Sequence, residues 1–335
     1  MKITVFGLGY VGCVSLACLA RDGHDVVGVD LQQDKIDHIN AGRPTIVEKD
    51  LAAILAEGHA AGRVSATTSA REGLEGSDAS ILCVGTPNGP SGHLDLSSIL
   101  HVASEIGTHL DTTAPDHVVL IRSTVLPGTN AKVTKILEEH LAGSSGRSVH
   151  VVSNPEFLRE STAVHDFYHP PVTVIGTDSD DAFEKARKIY GEVDAPVHRT
   201  SIGSAELIKL VNNSWHALKV SFANEIGVIA KSLGVDSHEL MDLFCMDHKL
   251  NLSSYYLRPG FAYGGSCLPK DLQALTTISH DRYLETPVLD SVSASNERHV
   301  QRLVRMVEDA DGKRVGILGL SFKAGTDDLR NSPIV

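Results

Sequence analysis

The sequence lacks an excess of positive charge. Its 335 residues include 30 lysines and arginines against 42 aspartates and glutamates, and the formal net charge is −12. DNA and anionic membranes bind broad basic faces, so neither a nucleic acid nor a membrane is expected as a partner. A phosphorylated small molecule is compatible with this charge, because backbone N–H groups can hold phosphate locally.

Cysteine is scarce and widely spaced. The chain contains no C-x-x-C pair, and its five cysteines are Cys13, Cys18, Cys83, Cys245 and Cys267. An odd number at this spacing indicates neither a disulfide framework nor a structural zinc site, and no other metal site is expected. A reducing compartment, the cytoplasm, is therefore the predicted location.

Long apolar runs are absent too. No run approaches the roughly 18 residues of a membrane-spanning helix. Residues 3–20 are apolar and follow Lys2, as in a secretory signal, but three glycines interrupt them and another strand-like run, 26–30, comes next. These features favour a folded N-terminal element over a signal peptide.

The first part of the chain, as far as about residue 200, alternates between two patterns. Short β-branched runs predict strands at 3–6, 26–29, 79–84, 118–121, 149–152 and 172–175. Amphipathic stretches between them, such as 96–110 and 130–141, predict helices. The alternation predicts an α/β fold with a Rossmann-like, doubly wound parallel sheet that is covered by helices on both faces.

The pattern changes after residue 203. Residues 204–233 hold no proline and one glycine, which predicts one long central helix, followed by shorter helices and a loop at 257–271. A strand-like run at 314–318 predicts the start of a second α/β domain, truncated at residue 335, since one strand cannot form a sheet. The predicted domains are 1–202 for the cofactor, 203–300 for the helical region and 301–335 for the truncated domain.

A glycine-rich motif follows the first predicted strand. The letters GLGYVG at residues 7–12 open a predicted helix, and Asp30 ends the next strand roughly 20 residues later, as in dinucleotide-binding sites. Gly7 permits a tight turn, Gly9 lets a pyrophosphate approach, and Gly12 lets helix and strand pack. Asp30 favours NAD over NADP because its carboxylate would repel a 2′-phosphate, although Lys35 can reach the same ribose.

Two threonines follow other predicted strands. Thr86 comes after the strand at 79–84 and Thr124 after the strand at 118–121. Ligands of open parallel sheets lie beyond the carboxyl ends of strands, so both threonines are candidate cofactor contacts. A role as helix N-cap or turn hydroxyl is about equally compatible with their spacing.

The segment FAYGGSCLPKD at 261–271 carries a candidate nucleophile. Two glycines let the backbone approach a ligand, and Cys267 is followed by Lys270 and Asp271. A nearby cation lowers the pKa of a thiol, and a carboxylate can exchange protons with water. A lone cysteine is more often a buried structural residue. The clustering with Lys and Asp nevertheless favours a covalent catalyst.

The long predicted helix carries a polar stripe. Its members, spaced by 4, 3 and 8 residues on one face, are Lys209, Asn213, His216 and Asn224. Periodicity alone is compatible with a solvent face or with a ligand-lining stripe. A helix between two domains has little solvent to face, which favours the ligand.

Three motifs together resemble one enzyme family. The letters NPEFLRE at 154–160, GGSCLPKD at 264–271 and GLSFKAGTDD at 319–328 occur in the order typical of the UDP-glucose/GDP-mannose dehydrogenase family. The resemblance runs from Met1 to Val335. Segments 170–176, 247–253 and 255–261 are more similar to the GDP-mannose branch than to the UDP-glucose branch.

The resemblance implies an activity and a set of roles. The activity is the NAD-dependent four-electron oxidation of a nucleotide-sugar C6 alcohol to a carboxylate, with GDP-mannose favoured as substrate and UDP-glucose as the alternative. The implied NAD contacts are Tyr10, Val11, Asp30, Lys35, Thr86, Thr124 and Lys270. The implied sugar-nucleotide contacts are Glu160, Lys209, Asn213, His216, Asn224, Tyr255, Tyr256, Arg258, Phe261, Gly264 and Lys323.

The same resemblance implies a mechanism and an assembly. Cys267 would be the nucleophile, Lys209 and Asn213 would stabilise oxyanion charge, and Asp271 and Glu160 would activate water. A homodimer or higher homo-oligomer sharing the long helix is expected. Two alternatives remain: a two-electron β-hydroxyacid dehydrogenase with a lysine base, and a chain that binds NAD without turnover because its C-terminal domain is missing.

Overall fold

The computed structural model describes most of the chain. The described residues are 1–87, 94–110, 116–142, 149–191, 193–253, 261–265, 268–310, 312, 314–321, 329 and 331–335. Their contacts divide the chain into two compact units, Met1–Asn213 and Ser214–Val335. The domain division predicted from the sequence stays a prediction. No helix among the described residues is both long enough and apolar enough to cross a membrane.

The first unit is built from alternating strands and helices. Its strands are β1 (Lys2–Phe6), β2 (Asp25–Val29), β3 (Val64–Thr67), β4 (Ala79–Leu82), β5 (His117–Ile121), β6 (Val149–Ser153), β7 (Thr173–Gly176) and β8 (Val197–Thr200). Its helices are α1 (Tyr10–Arg21), α2 (Gln33–Asn40), α3 (Leu51–Ala60), α4 (Ala70–Leu74), α5 (Ser97–His109), α6 (Thr129–Leu141), α7 (Ala163–Tyr168) and α8 (Asp180–Ile189). The long helix α9 (Ile202–Ser232) follows and contains the boundary between the units.

The eight strands form one sheet in the order β3-β2-β1-β4-β5-β6-β7-β8. All pairings from β3 to β6 are parallel, which confirms the doubly wound prediction. The β6–β7 pairing is antiparallel and consists of one residue pair, Ser153 opposite Gly176, while β8 lies parallel to β7. The carboxyl ends of β6, β7 and β8 are therefore brought near one another, so that α9 starts close to the end of β6.

Apolar side chains of the strands bury on both faces of the sheet. Val118 and Leu120 join one core cluster with residues of α1, α3, α7 and α8, such as Leu16 and Leu55. The alternate strand positions join a second cluster, with residues of α4, α5 and α6. Because successive strand side chains point to opposite faces, helices are needed on both faces to bury them.

Two strands, β3 and β8, were not predicted from the sequence. β3 and β8 are short, and two of the four residues of β8 are exposed, so neither forms an apolar run. They are the two edge strands of the sheet, where polar residues are common.

The strand predicted at 314–318 is not a strand. Val315 is 58% and Leu318 101% exposed, and no described strand lies beside this segment to complete its hydrogen bonds. The loop predicted to reach residue 271 ends earlier, because α11 (Leu268–Asp281) already begins at Leu268. Pro269 is compatible with this start, because proline fits the first turn of a helix, where its missing N–H would have no partner in the helix.

The second unit, as far as it is described, is helical. It contains the later part of α9, α10 (Ser237–Cys245), α11 and α12 (Pro287–Glu308). Glu225 of α9 accepts hydrogen bonds from the N–H groups of Val288 at 2.8 Å and Leu289 at 3.0 Å, which caps the start of α12. The single long helix and the helical region after it are as predicted from the sequence.

A buried carboxylate joins α9 to the sheet unit. Glu206 is 3% exposed, and it accepts hydrogen bonds from the N–H groups of Gly128 at 2.8 Å and Asn130 at 2.7 Å at the start of α6. The negative charge also lies at the positive end of that helix. These bonds fix the first turns of α9 beside the carboxyl end of β5.

We expect Glu206→Ala to destabilise the first unit. The variant leaves the two N–H groups of α6 without acceptors in a buried site, so the free energy of unfolding should fall by about 1–3 kcal/mol. Urea unfolding followed by circular dichroism measures the loss. Glu138→Gln changes an exposed glutamate of α6 and is the matched control. Equal unfolding midpoints for the two variants would contradict the capping role.

Candidate active site

The glycine-rich turn joins β1 to α1 and leaves the start of that helix open. Gly7 has a φ of +90°, and a Cβ there would lie 2.9 Å from the Cys83 carbonyl carbon. A Cβ at Gly12 would lie 1.8 Å from the carbonyl oxygen of Gly7. No side chain caps α1, and a Cβ at Gly9 would meet nothing within 4 Å. The turn thus has room for a phosphate at a helix N-terminus.

A cleft of about 500 Å³ lies at the carboxyl ends of β1, β2 and β4. Its lining includes Gly7, Gly9, Asp30, Lys35, His101 and Glu105. The sheet order reverses between β1 and β4, and ligands of doubly wound sheets bind at such a switch point. The cleft fits the nucleotide half of a dinucleotide, so the residues present fit NAD.

Asp30 is held in place at the edge of this cleft. It accepts hydrogen bonds from the N–H groups of Leu8 at 2.7 Å and Gln32 at 3.0 Å, and from Lys35 Nζ at 2.9 Å. Burial raises the pKa of Asp30, but these three bonds outweigh it and hold the pKa below its usual range. The ionised carboxylate has acceptor capacity left for a ribose hydroxyl.

Thr86 and Thr124 lie on neighbouring loops at the same edge. The Thr86 hydroxyl donates to the carbonyl oxygen of Thr124 at 2.7 Å, so Thr86 acts as a turn hydroxyl that joins the loops after β4 and β5. Both side chains are half-buried, as is Val11 in α1. Their contacts with a cofactor stay predictions.

The loop after β6 and α9 share a largely buried ion pair, whose loop partner, Glu156, was not predicted from the sequence. Lys209 Nζ of α9 lies 2.7 Å from Glu156 Oε1, and the two side chains are only 12% and 10% exposed. The Phe157 ring lies beside the same ammonium group, 5.9 Å from ring centroid to Nζ. The signal in the sequence was a glutamate three residues after the end of β6, since ligands of parallel sheets bind at that edge.

The same loop is bonded to the glycine-rich turn. The carbonyl oxygen of Arg159 accepts a hydrogen bond from the Tyr10 hydroxyl at 3.2 Å. Asp166 holds the loop from its other side, with Arg159 Nη2 at 2.7 Å, and this bond is the main cause that lowers the pKa of Asp166 to about 2. The cofactor turn and the Lys209–Glu156 pair therefore belong to one connected region of the first unit.

The other predicted site residues are placed as follows. Glu160 and Asn213 are exposed in the first unit, and His216 and Asn224 are exposed on α9 in the second. Phe261 is exposed, and Gly264 packs against Asn331, whose amide nitrogen donates to the Gly265 carbonyl oxygen at 3.3 Å. Five predicted residues lie outside the described residues: Tyr255, Tyr256, Arg258, Cys267 and Lys323. The side chains of Lys270 and Asp271 also lie outside them.

Three of the four described cysteines are unsuited to nucleophilic chemistry. Cys13, Cys18 and Cys83 are buried, and burial raises the pKa of the Cys18 and Cys83 thiols to about 12 and that of Cys13 above its usual value. A thiol acts as a nucleophile in its ionised form. Cys245 is exposed.

Comparison with known proteins decides the family. Residues 1–194 match the UDP-glucose/GDP-mannose dehydrogenase family, NAD binding domain, and residues 203–298 match the central domain of that family. The chain belongs to the UDP-glucose/GDP-mannose dehydrogenase family. The resemblance inferred from the three motifs is thereby confirmed, and so is NAD as the cofactor of this dehydrogenase.

Individual family members support the same conclusion. The chain is 51% identical to the GDP-mannose 6-dehydrogenase of Pseudomonas aeruginosa, over 100% of this chain and 77% of the relative. It is 36% identical to a UDP-glucose 6-dehydrogenase of Bacillus subtilis, over 100% of this chain and 76% of the relative. The crystal structure of a ternary complex of the GDP-mannose dehydrogenase from Pseudomonas aeruginosa matches with a TM-score of 0.96 at 50% identity, covering 100% of this chain and 77% of that chain.

We expect Asp30→Ala to weaken NAD binding and to reduce the preference for NAD over NADP. Loss of a charged hydrogen bond to ribose should raise the Kd for NAD by about tenfold or more, while Lys35, no longer paired, becomes available to a 2′-phosphate. Calorimetric titration with both cofactors measures the ratio of their affinities. Asp34→Ala, at an exposed position of α2, should leave that ratio unchanged. An unaltered ratio in the Asp30 variant would refute the assignment.

Proposed function

We propose that this family member oxidises the C6 alcohol of GDP-mannose to the carboxylate of GDP-mannuronate. Relatives about half identical over the whole chain are GDP-mannose 6-dehydrogenases, at 51% and 50% identity. The observation that carries the proposal is the buried Lys209–Glu156 pair beside a loop that is bonded to the cofactor turn. A buried cation at that position supports the stabilisation of negative charge on a reacting sugar oxygen.

The proposed reaction balances with two cofactors and one water. The alcohol, two NAD⁺ and one water give the carboxylate, two NADH and three protons. NAD, when bound, supplies the acceptor for each hydride. The Cys267 thiolate would attack the aldehyde carbon to form a thiohemiacetal, whose oxidation leaves a thioester, and water then releases the acid and the thiol. Covalent capture on sulfur prevents release of the reactive aldehyde.

Lys209 and Asn213 are proposed to stabilise the oxyanions of these steps. Both lie in the first unit on α9, four residues apart and so on one face. The 2.7 Å contact with Glu156 holds the Lys209 ammonium in one place, which lowers the reorganisation needed when charge develops. Asp271 and Glu160 remain the predicted groups for activating water, and the geometry adds Glu156 as a third candidate.

Two other activities of the same architecture are distinguished by simple measurements. A UDP-glucose dehydrogenase would perform the same chemistry on a different nucleotide sugar, so only the substrate preference differs. A two-electron β-hydroxyacid dehydrogenase would form one NADH per substrate and would need no cysteine. A chain that only binds NAD would form none.

We expect the full chain to form two NADH per GDP-mannose consumed, and Cys267→Ser to abolish sustained NADH formation, because only the first oxidation, to the aldehyde, precedes the attack of the thiolate. The serine hydroxyl is a far weaker nucleophile at neutral pH than a thiolate, so the covalent steps fail while NAD still binds. Absorbance at the nicotinamide band and calorimetric NAD titration measure the two properties. Cys245→Ser, at the exposed cysteine, is the matched control. Normal turnover by Cys267→Ser would reject the mechanism. So would the formation of only one NADH per GDP-mannose by the unaltered chain.

We also propose that the protein forms a homodimer or a higher homo-oligomer through the long helix. Large apolar side chains are exposed in the second unit, including Trp215 at 40%, Leu218 at 46% and Leu243 at 59%. Exposed large apolar side chains of this kind are usual at subunit interfaces.

We expect Leu218→Lys to break the oligomer. A lysine in the middle of an apolar interface places an unpaired charge there, which disfavours association. Light scattering after size-exclusion chromatography should give a mass near 35.8 kDa for the variant and a multiple of it for the unaltered chain. Val47→Lys, at a fully exposed valine of the first unit, is the control. A monomeric unaltered chain at all concentrations would refute the proposal.

A further inference from the structure

The short segment between α2 and α3 contacts both the cofactor turn and the loop that carries Glu156. We propose that Glu48 in this segment is a positioning residue, which couples NAD binding at the turn to the order of the loop at residues 154–162. The inference rests on the proposed function, because the proposed function assigns this loop a role in catalysis. Glu48 was not singled out in the sequence, where it stands in no motif.

Glu48 joins three groups from distant parts of the chain. Its Oε2 accepts hydrogen bonds from the Tyr10 hydroxyl and from the N–H of Ser161, the latter at 2.9 Å. Its Oε1 accepts the N–H of Ala163 at 3.2 Å. Burial raises the pKa of Glu48, but the bonds from Tyr10, Ser161 and Ala163 outweigh it and keep the pKa below its usual range. The carboxylate is therefore ionised at neutral pH.

The segment is fixed to the cofactor turn at a second point. The Thr45 hydroxyl donates to the carbonyl oxygen of Leu8 at 2.8 Å, within the glycine-rich motif. Tyr10 is the first residue of α1, so its position depends on the turn that receives the pyrophosphate. A ligand that orders this turn also orders the Tyr10 hydroxyl and, through it, the Glu48 carboxylate.

Ser161 in this loop requires support from a residue outside the loop, and Glu48 contacts the loop at that residue. Ser161 has a φ of 72°, a left-handed conformation that non-glycine residues rarely adopt without support. Asp166 binds Arg159 and Thr162, but it belongs to the α7 end of the same segment and so shapes the segment only internally. Glu48 is the group, among the described residues, that ties Ser161 to the cofactor turn. Coupling of this kind is reciprocal, so NAD should order the loop and an ordered loop should favour NAD.

Hydrogen–deuterium exchange of the full chain tests the coupling without any sugar substrate. In Glu48→Ala, the peptide containing Ser161 and Ala163 should exchange about tenfold faster than in the unaltered chain, because its amide bonds are lost. Saturating NAD should slow this peptide in the unaltered chain but not in Glu48→Ala, where the direct bond from the Tyr10 hydroxyl to the Arg159 carbonyl oxygen remains, nor in Tyr10→Phe, which keeps the loop–Glu48 bonds and removes both bonds of that hydroxyl. Glu57→Gln, at an exposed glutamate of α3, should behave as the unaltered chain.

Steady-state kinetics provides a second readout. Glu48→Ala should raise KM for GDP-mannose and lower kcat by about tenfold each, and it should raise the Kd for NAD by the same factor by which NAD slows loop exchange in the unaltered chain. Glu48→Gln, whose amide oxygen still accepts from Tyr10, should recover part of the loss. Loop exchange that is unchanged in Glu48→Ala, or slowed by NAD equally in Tyr10→Phe, would overturn the inference. If Glu48→Ala does not fold, Glu48→Gln replaces it, because its single amide oxygen cannot accept all three bonds of the carboxylate while the Tyr10–Arg159 bond stays; loop exchange equal to that of the unaltered chain would then overturn the inference. Absence of GDP-mannose oxidation would reject the proposed function and leave the exchange result standing.

Discussion

The close approach of α1 to the strand ends governs the geometry of the site. A Cβ at Gly12 would overlap the Gly7 carbonyl oxygen at 1.8 Å, so the helix reaches the sheet only because both positions are glycine. That approach aims the open start of α1 at the switch point of the sheet and sets the position of Tyr10. Tyr10 in turn contacts the loop after β6, so a steric constraint at two glycines determines where the cofactor turn and this loop meet.

The single antiparallel contact between β6 and β7 has an equally large effect. Because Ser153 pairs with Gly176 at the ends of both strands, the chain leaves β8 close to the end of β6. Gly176 also leaves space for α9, since a Cβ there would lie 2.4 Å from the Cβ of Ala205. The first turns of α9 thus pass the loop after β6, and Lys209 reaches Glu156. Burying such a pair costs desolvation, which suits a site that requires a fixed charge more than it suits stability.

Local sequence patterns predicted the helices and strands, whereas contacts between distant segments of the chain could not be predicted from them. The GLGYVG motif, Asp30 and the long helix follow from residues adjacent in sequence, because spacing alone determines a helix face or a strand–turn–helix motif. Glu48 and Glu156 acquire their roles from partners up to 115 residues away, and no spacing rule predicts them. The strand predicted at 314–318 shows the converse, since an apolar run forms a strand only where a neighbour completes its hydrogen bonds.

The buried cysteines have a consequence for how the protein withstands oxidants. Burial raises the pKa of the Cys18 and Cys83 thiols to about 12, so both stay protonated at neutral pH, whereas peroxides react with the ionised form. The buried thiols of the sheet unit should therefore resist oxidation under conditions that oxidise an exposed thiol such as Cys245. Among the described cysteines, oxidation should therefore begin at Cys245, and a reductant would reverse its first stage.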